Sequence, residues 1–505
     1  MSKRLALWLF IILNFFFASF YQLKSDILFH VDIARDFLVM EEMVTLKKLT
    51  LIGARSGGIP GLFHGPLWFY LNLPAFILGH GNPIFVGFFW IVLYALSLAV
   101  IYKISKQIFN NTIAMLSTSL FASTTAVSIF GLFNPFGAVI LSPIMFYFYY
   151  LYIKKHRITD AFLSLFLLGL LIHFQMAFGL PILLLMSSHL FILFIKNRKI
   201  SHFASFISLP IALSTFILFD LRHQFLQITS LFKYVSGSSE MGNLKLIPLL
   251  ISRVRGFFIG GLQITTEEFL PISVAITILF IYFFYRLYKN KIFPKRNFYF
   301  LFLYLYSGYW ALVFLFKGPI WNYYLIPFMP LTIIIFASLY NKFNKKIYYA
   351  LFISLILFNT CINFNHVLSA DKFIDKNGSS WQFNLMMAKS IYKKAGSEFG
   401  YYIFSPEMFG YTPRYAMNYY QKLDNNKKSY PFEKKKETYL ILLPVPDDRP
   451  DISIDWWIKN QVKINKKPQQ VIKYDNGYII QKYLLTDKEI SISADPNLLK
   501  DLHFR

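Results

Sequence analysis

The sequence predicts an α-helical bundle that crosses a membrane about eleven times and carries a small α/β domain at its C-terminal end. Three observations predict it. Of the 505 residues 56% are hydrophobic and mean hydropathy is +0.46, too apolar for a soluble chain of this length. Long apolar runs alternate with short basic connectors. After His366 the composition changes abruptly to a polar, lysine-rich stretch with strand-like runs.

Met1 to Arg4 is basic, and an apolar run follows from Leu5 to about Leu23. It is long for a signal-peptide core, and YQLKSD after it offers no small-x-small cleavage site, so it reads as a retained first span. Further spans are expected near 83–102, 112–131, 136–153, 158–173, 176–195, 202–219, 269–287, 297–316, 320–340 and 346–364. The connectors set their direction. Lys154, Lys155 and Arg157; Lys196, Arg198 and Lys199; Arg286, Lys289, Lys291, Lys295 and Arg296; and Lys342, Lys345 and Lys346 all fall on one side if the N-terminus is inside. The connectors 132–135 and 174–175 on the other side carry no charge. Under the positive-inside rule this predicts an inside N-terminus and an outside C-terminus in the plasma membrane. The tract Pro66 to Gly79 then does not cross. Its roughly 14 residues span about 21 Å as a helix, short of a hydrocarbon core of about 30 Å, so it is expected to lie at the outer interface.

The formal charge of +25 does not indicate a nucleic-acid partner. Much of it is these topology signals, and most of the rest decorates the C-terminal region as a solvated face. The single cysteine, Cys361, lies in an apolar tract and excludes disulfides and CxxC knuckles. There is no GxGxxG, P-loop, HExxH or GxSxG.

Two outer segments are large, about 24–82 and 220–268. The second holds Arg222, His223, Lys233, Lys245, Arg253, Arg255, Glu267 and Glu268. Residues 1–365 are read as the membrane domain and 366–505 as an outer α/β domain. In the latter, Ser379 or Ser380 caps a helix running to about Lys394. Strands are expected at Tyr401–Ser405, Tyr439–Val445, Gln470–Tyr474 and Tyr478–Leu484, the last two flanking the turn Asp475-Asn476-Gly477.

The first outer segment contains HVDIARDF at 30–37 and GLFHGPLWFYL at 61–71. Ile33, Phe37, Met40 and Val44 recur at offsets 0, 4, 7 and 11, one face of a helix. Asp32, Arg35 and Asp36 lie off that face, with Asp32 and Asp36 stacked one turn apart. The pattern suits a helix lying greasy side down in the interface, its carboxylates turned to the rim of the bundle. Arg35 pairing these aspartates on a solvated surface would leave the same local trace. A cluster of two carboxylates, an arginine and two histidines beside a membrane is nonetheless a functional-site candidate.

Asp32-Ile33-Ala34-Arg35 followed by His64-Gly65-Pro66-Leu67-Trp68-Phe69-Tyr70 resembles the membrane glycosyltransferases of the GT-C class. The closer likeness is to glycosyltransferase family 39, the protein mannosyltransferase and aminoarabinose transferase branch. Those proteins carry an acidic motif of the form D-E-x-R after one span, then a juxtamembrane helix beginning H-P-P-L-Y-Y-W. A bacterial subgroup with D-Q-A-R-D and F-F-H-G-P-L-Y-Y-Y-L is more similar still, and Asp220-Leu221-Arg222-His223 looks like a short motif of that subgroup. Ile33 replaces the second acidic residue and Gly65 the first proline. The motif likeness is confined to about the first 80 residues and Asp220–His223.

The resemblance implies a transferase that moves a sugar from a polyprenyl-phosphate-linked donor to an acceptor hydroxyl on a glycan, lipid or protein. Asp32, or Asp36 in its place, would be the general base, and Arg35 would orient it or contact the sugar. Arg55, Arg222, Arg253, Arg255 or Lys317 would stabilise the leaving phosphate, with Arg222 and His223 favoured at the end of a span, and His64 would bond a hydroxyl. Capping of the short helix by His64, and snorkelling of Arg222, are the bland readings of the same residues. Asp32, His64 and a glutamate such as Glu267 could together hold a divalent metal, but their spacing gives no specific signal, so no metal site is assigned. A polysaccharide polymerase or ligase using lipid-linked donors, or a lipid-linked sugar flippase, would also place polar groups outside the membrane. A carrier would be expected to hold ionisable groups near the midplane, which these spans lack.

Overall fold

The computed structural model describes residues 3–56, 59–235, 245–290, 295–314, 320–372, 378–407 and 409–498. Lys291 and Lys317 lie outside them. The chain forms two compact units. One comprises Met1–Ser19, Leu49–Leu71 and Trp90–His366, and the other Phe20–Lys48, Asn72–Phe89 and Val367–Arg505.

Among the described residues nine helices are long and apolar enough to cross a membrane, so this is a multi-pass membrane protein. They are Arg4–Leu23, Pro83–Ile108, Asn111–Gly131, Pro135–Lys155, Met176–Lys196, Leu270–Lys289, Arg296–Phe314, Asn322–Asn341 and Lys345–Leu368. The expected span at 158–173 is a helix, Ile158–Phe174, but its 17 residues are short. The expected span at 202–219 is broken. Ile200–Ala212 and Ser214–Arg222 meet at a 60° bend, and together they would make a tenth span. Pro210, which lacks an N–H for the helical ladder, sits just before the bend. There the Ala212 carbonyl accepts a hydrogen bond from His173 Nε2 at 2.8 Å. Pro66–Gly79 contains the helix Leu67–Leu78, only 12 residues long.

In lipid, apolar side chains give spans little reason to choose one another, and buried polar groups supply it. Asn14, Asn359 and Asn363 are fully buried and form such a clasp. Asn14 Nδ2 donates to Thr360 Oγ1 at 3.0 Å, and its Oδ1 accepts from Asn363 Nδ2 at 2.8 Å. Asn363 also reaches the Ser123 carbonyl at 2.7 Å. Asn359 donates to Thr124 Oγ1 at 3.2 Å and to the Ile264 carbonyl at 3.1 Å, and accepts from Thr266 N at 3.1 Å. The first, third and last of the nine helices are thereby joined.

The second unit contains a five-stranded sheet: β1 Glu398–Phe404, β2 Lys428–Pro431, β3 Glu437–Leu442, β4 Gln470–Lys473 and β5 Ile479–Leu484, in the order β2-β1-β3-β5-β4. β1 is parallel to β2 and β3, while β5 is antiparallel to β3 and β4. β1 is buried on both faces after its first residue, which its unbroken run FGYYIF reflects. Tyr402 and Phe404 point into a cluster with Leu440, Trp457, Val462 and Tyr483. Phe399, on the other face, meets Tyr392 and Tyr439 edge-on. Ser380 caps the helix Trp381–Lys394 by accepting from Phe383 N. The β4–β5 turn needs Gly477 at φ +85°. The helix Tyr411–Leu423 and strand β2 were not expected from the sequence.

The clasp gives a direct stability test. Asn363→Leu removes the bonds to Asn14 and Ser123 and should cost about 1–2 kcal/mol. Thermal unfolding in detergent should show a lower midpoint than for Asn363→Gln or the parent.

Candidate functional site

The second unit holds the acidic helix, Val31–Leu46. Ile33, Phe37 and Met40 are each 1% exposed, so the predicted apolar stripe is buried over these three residues, while its fourth member, Val44, is 41% exposed. It does not rest on lipid, however. Phe37 packs edge-on against Phe29, Phe76 and Tyr415, with centroids 5.2, 5.6 and 5.3 Å apart. Protein aromatics are better partners than an interface because they also fix the helix's rotation.

That rotation puts the charged residues along one edge. Arg35 Nη1 donates to Asp32 Oδ1 at 2.7 Å, and its Nε and Nη2 grip Asp36 Oδ1 at 3.1 and 2.8 Å. The two carboxylates are not equivalent. The Asp36 side chain is 4% exposed and that of Asp32 45%. Asp36 is therefore not turned to an open rim, as its position beside Asp32 had suggested; the helix curves it under Arg35 and away from water. Burial pushes the Asp36 carboxyl up to about 6, against the opposing pull of Arg35. The two carboxylates hold the Arg35 proton more tightly than usual.

His30 ends the chain's approach to this helix. It is the N-cap, and its Nδ1 accepts from Asp32 N at 3.2 Å. Burial pushes the imidazole below its ordinary value, outweighing the Asp32 carboxylate. A further carboxyl, Glu407, comes from the loop after β1. Partial burial and the charge of Asp32 push it up. Sequence reading missed Glu407 because nothing local ties residue 407 to residue 32.

The first unit holds Arg55, His64, Arg222 and His223. His64 sits in a short two-stranded bridge: Gly53 N donates to His64 O at 2.7 Å, and His64 N donates to Ala54 O at 2.8 Å. Arg55 pairs with Phe63 across the bridge, and its side chain is exposed. Phe63 N donates to Gln227 Oε1 at 3.1 Å. Asp220 in turn accepts from Gln227 N and Ile228 N at 2.8 and 3.2 Å, opening the helix Leu226–Val235. Phe219 packs between Phe63 and the His223 ring, at 5.7 and 4.1 Å. The residues that directly precede the two sequence motifs of this unit, Phe63 before HGP and Phe219 before Asp220–His223, are therefore in contact. Arg222 and His223 are exposed at the end of the bent helix. Of the other cations, Arg253 is 2% exposed, with burial lowering its proton affinity, and Arg255 pairs with Glu268 at 2.5 Å. Glu267 pairs with His366 at 2.8 Å. No group of three or more His, Cys, Asp or Glu side chains fit to hold a metal ion occurs among the described residues.

Gly65, the departure from H-P-P, has a steric cause. A Cβ there would stand 1.9 Å from His173 Nδ1, and Gly65 N donates to His173 O at 3.2 Å. Proline could supply neither the space nor the N–H. His173 was missed because a histidine at the end of an apolar run carries no motif.

Two outcomes are expected. Gly65→Ala should destabilise the protein by about 1–3 kcal/mol through overpacking, read as a lower thermal midpoint. His30 should make the start of the acidic helix acid-sensitive. Its folded value lies below the unfolded one, so its contribution is present above the unfolded value of about 6.5 and is lost as pH falls through the folded value. His30→Asn keeps a capping acceptor that does not titrate. Melting curves from pH 8 to 5 should show the parent losing stability relative to His30→Asn as the pH falls.

No protein-family model matches this sequence, and no curated protein matches it. Two solved structures are similar along nearly its whole length. ArnT from Cupriavidus metallidurans bound to undecaprenyl phosphate aligns with a TM-score of 0.57 at 11% identity, over 98% of this chain and 100% of that one. The apo state of the same protein aligns with a TM-score of 0.57 at 10% identity, over 95% and 98%. At this identity the likeness is one of fold. The resemblance carried by Asp32–Arg35 and His64–Tyr70 thus extends to the architecture of the whole chain, which is the GT-C fold of the ArnT structures.

Proposed function

We propose that this chain is a membrane glycosyltransferase. It moves a sugar from a polyprenyl-phosphate donor to an acceptor hydroxyl at the outer face of the plasma membrane, with its N-terminus inside and the region after His366 outside. The observation that carries the reading is the unequal carboxylate pair. One guanidinium binds both acids, but Asp36 is buried and gripped through two nitrogens while Asp32 is 45% exposed. Such a division leaves one acid to hold the arginine and the other to meet a substrate.

In the proposed reaction the acceptor oxygen attacks the anomeric carbon as its proton passes to Asp32. The bond from that carbon to the phosphate oxygen breaks, and the lipid phosphate leaves with the electron pair. Arg35 holds the Asp32 carboxylate in place. Arg222, Arg55 or the buried Arg253 would offset charge on the leaving phosphate, and His64 would bond a substrate hydroxyl. The undecaprenyl phosphate bound to the similarly folded ArnT supports a donor of this lipid class.

The reading is tested with the purified full chain in nanodiscs, supplied with lipid extract from its own host membrane. Mass spectrometry follows polyprenyl phosphate released in a single turnover. Asp32→Asn should lower release about 10²–10⁴-fold while retaining the donor. Asp36→Asn should act mainly on stability, costing about 3 kcal/mol, because it keeps an acceptor oxygen but removes the buried negative charge that offsets the Arg35 guanidinium. Release by Asp32→Asn at the parental rate would remove the assignment.

A further inference from the structure

We propose that Asp26 is a positioning residue, which makes the α/β region the element that aims the Asp32 carboxylate; this rests on the reading of Asp32 as the base. Asp26 is fully buried, six residues before Asp32. Its Oδ1 accepts from Ile27 N at 2.9 Å and from Gln382 N at 3.0 Å, and its Oδ2 accepts from Ser380 Oγ at 2.9 Å. The same Ser380 oxygen accepts from Phe383 N and caps the helix Trp381–Lys394. The carboxylate therefore sits at the positive end of a 14-residue helix, held by hydrogen bonds that lose their partner if it is removed.

This clamp grips the segment that feeds the acidic helix. Phe29 N donates to Ser379 O at 2.6 Å and Trp381 N to Ile27 O at 3.2 Å, with Leu28 and Ser380 bridged between them. Gln382 Nε2 donates to the Lys24 and Ser25 carbonyls at 2.6 and 2.8 Å. The Phe29 ring lies against Trp381 and Tyr415, centroids 5.0 and 5.5 Å away. Past the middle of the acidic helix, Glu41 bonds Lys422 at 2.5 Å and Asn418 at 3.1 Å. Apolar packing alone would let the helix slide or roll along its axis. Directional bonds ahead of its start and past its middle fix it, and they come from residues 379–422, more than three hundred positions away in the chain. Misplacing a catalytic group by about 1 Å can cost about 100-fold in rate.

The test is a double-mutant cycle in the full chain, using the polyprenyl phosphate release assay, with binding of undecaprenyl phosphate and amide exchange over residues 27–46 measured in parallel. Asp26→Ala should lower release about 10–100-fold, leave undecaprenyl phosphate binding unchanged and accelerate exchange across 27–46. On the Asp32→Asn background the same substitution should lose nothing further. Ser380→Thr, which keeps the hydroxyl, should retain near-parental release. If Asp26→Ala fails to fold, Ser380→Ala takes its place in the cycle. Losses that multiply across the cycle, or parental release in a folded variant, would overturn the proposal. Parental release by Asp32→Asn alone would instead overturn the reading beneath it.

Discussion

The Arg35 guanidinium has given up nearly all its water, and it can stay charged there only because two carboxylates of its own helix face it. Much of the surrounding structure follows from keeping that arrangement intact. The helix must begin at Val31 so that positions 32, 35 and 36 share an edge, and the His30 cap sets that start. Its roll must be fixed so that Asp36 goes under and Asp32 stays out, and Phe37 among Phe29, Phe76 and Tyr415 fixes it. Slippage along its axis must be prevented, which Asp26 ahead of its start and Glu41 past its middle accomplish. A surface ion pair would require none of this and would contribute little.

The membrane unit answers a different constraint. Its helices have no water to flee from, so their choice of neighbours depends on close approach and on polar groups that lipid cannot satisfy. The asparagine clasp of Asn14, Asn359 and Asn363 is one case. The His173 side chain is another, bonding the Ala212 carbonyl at the bend while its backbone receives Gly65 N–H. The same histidine thus joins an irregular stretch of helix to the loop carrying His64, and the glycine of HGP is the space it needs.

What could be read from the sequence was whatever rests on local periodicity or local chemistry. The span pattern, the acidic helix, the Ser380 cap and the β4–β5 turn all have their cause within a few residues of themselves. The α/β region's helix Tyr411–Leu423 was missed because its face is polar-aromatic, YTPRYAMNYYQ, and Tyr415 and Tyr419 become core residues only when Trp381 meets them. The bend at Leu213 was missed because the hydropathy of 202–219 reads as continuous. Asp26 and Glu407 carry no signal at all: each acts through partners hundreds of residues distant. The burial of Asp36 was hidden for a related reason, since helical spacing places it beside Asp32 but does not say what lies over it.

The departures from the resembled motif become coherent once the helix is in place. In D-E-x-R the second acid stands next to the first, where this chain has Ile33. Residues 32 and 33 are about 100° apart around a helix, and Ile33 is 1% exposed, facing the core. A carboxylate at 33 here would be buried among apolar groups without the guanidinium to meet it. Position 36 lies one turn above 32 on the same edge, within reach of the same Arg35 fork. The charge removed from position 33 is therefore supplied three residues on, at Asp36, where the geometry of the helix lets one arginine hold both acids. Asp32 occupies the same place in either arrangement.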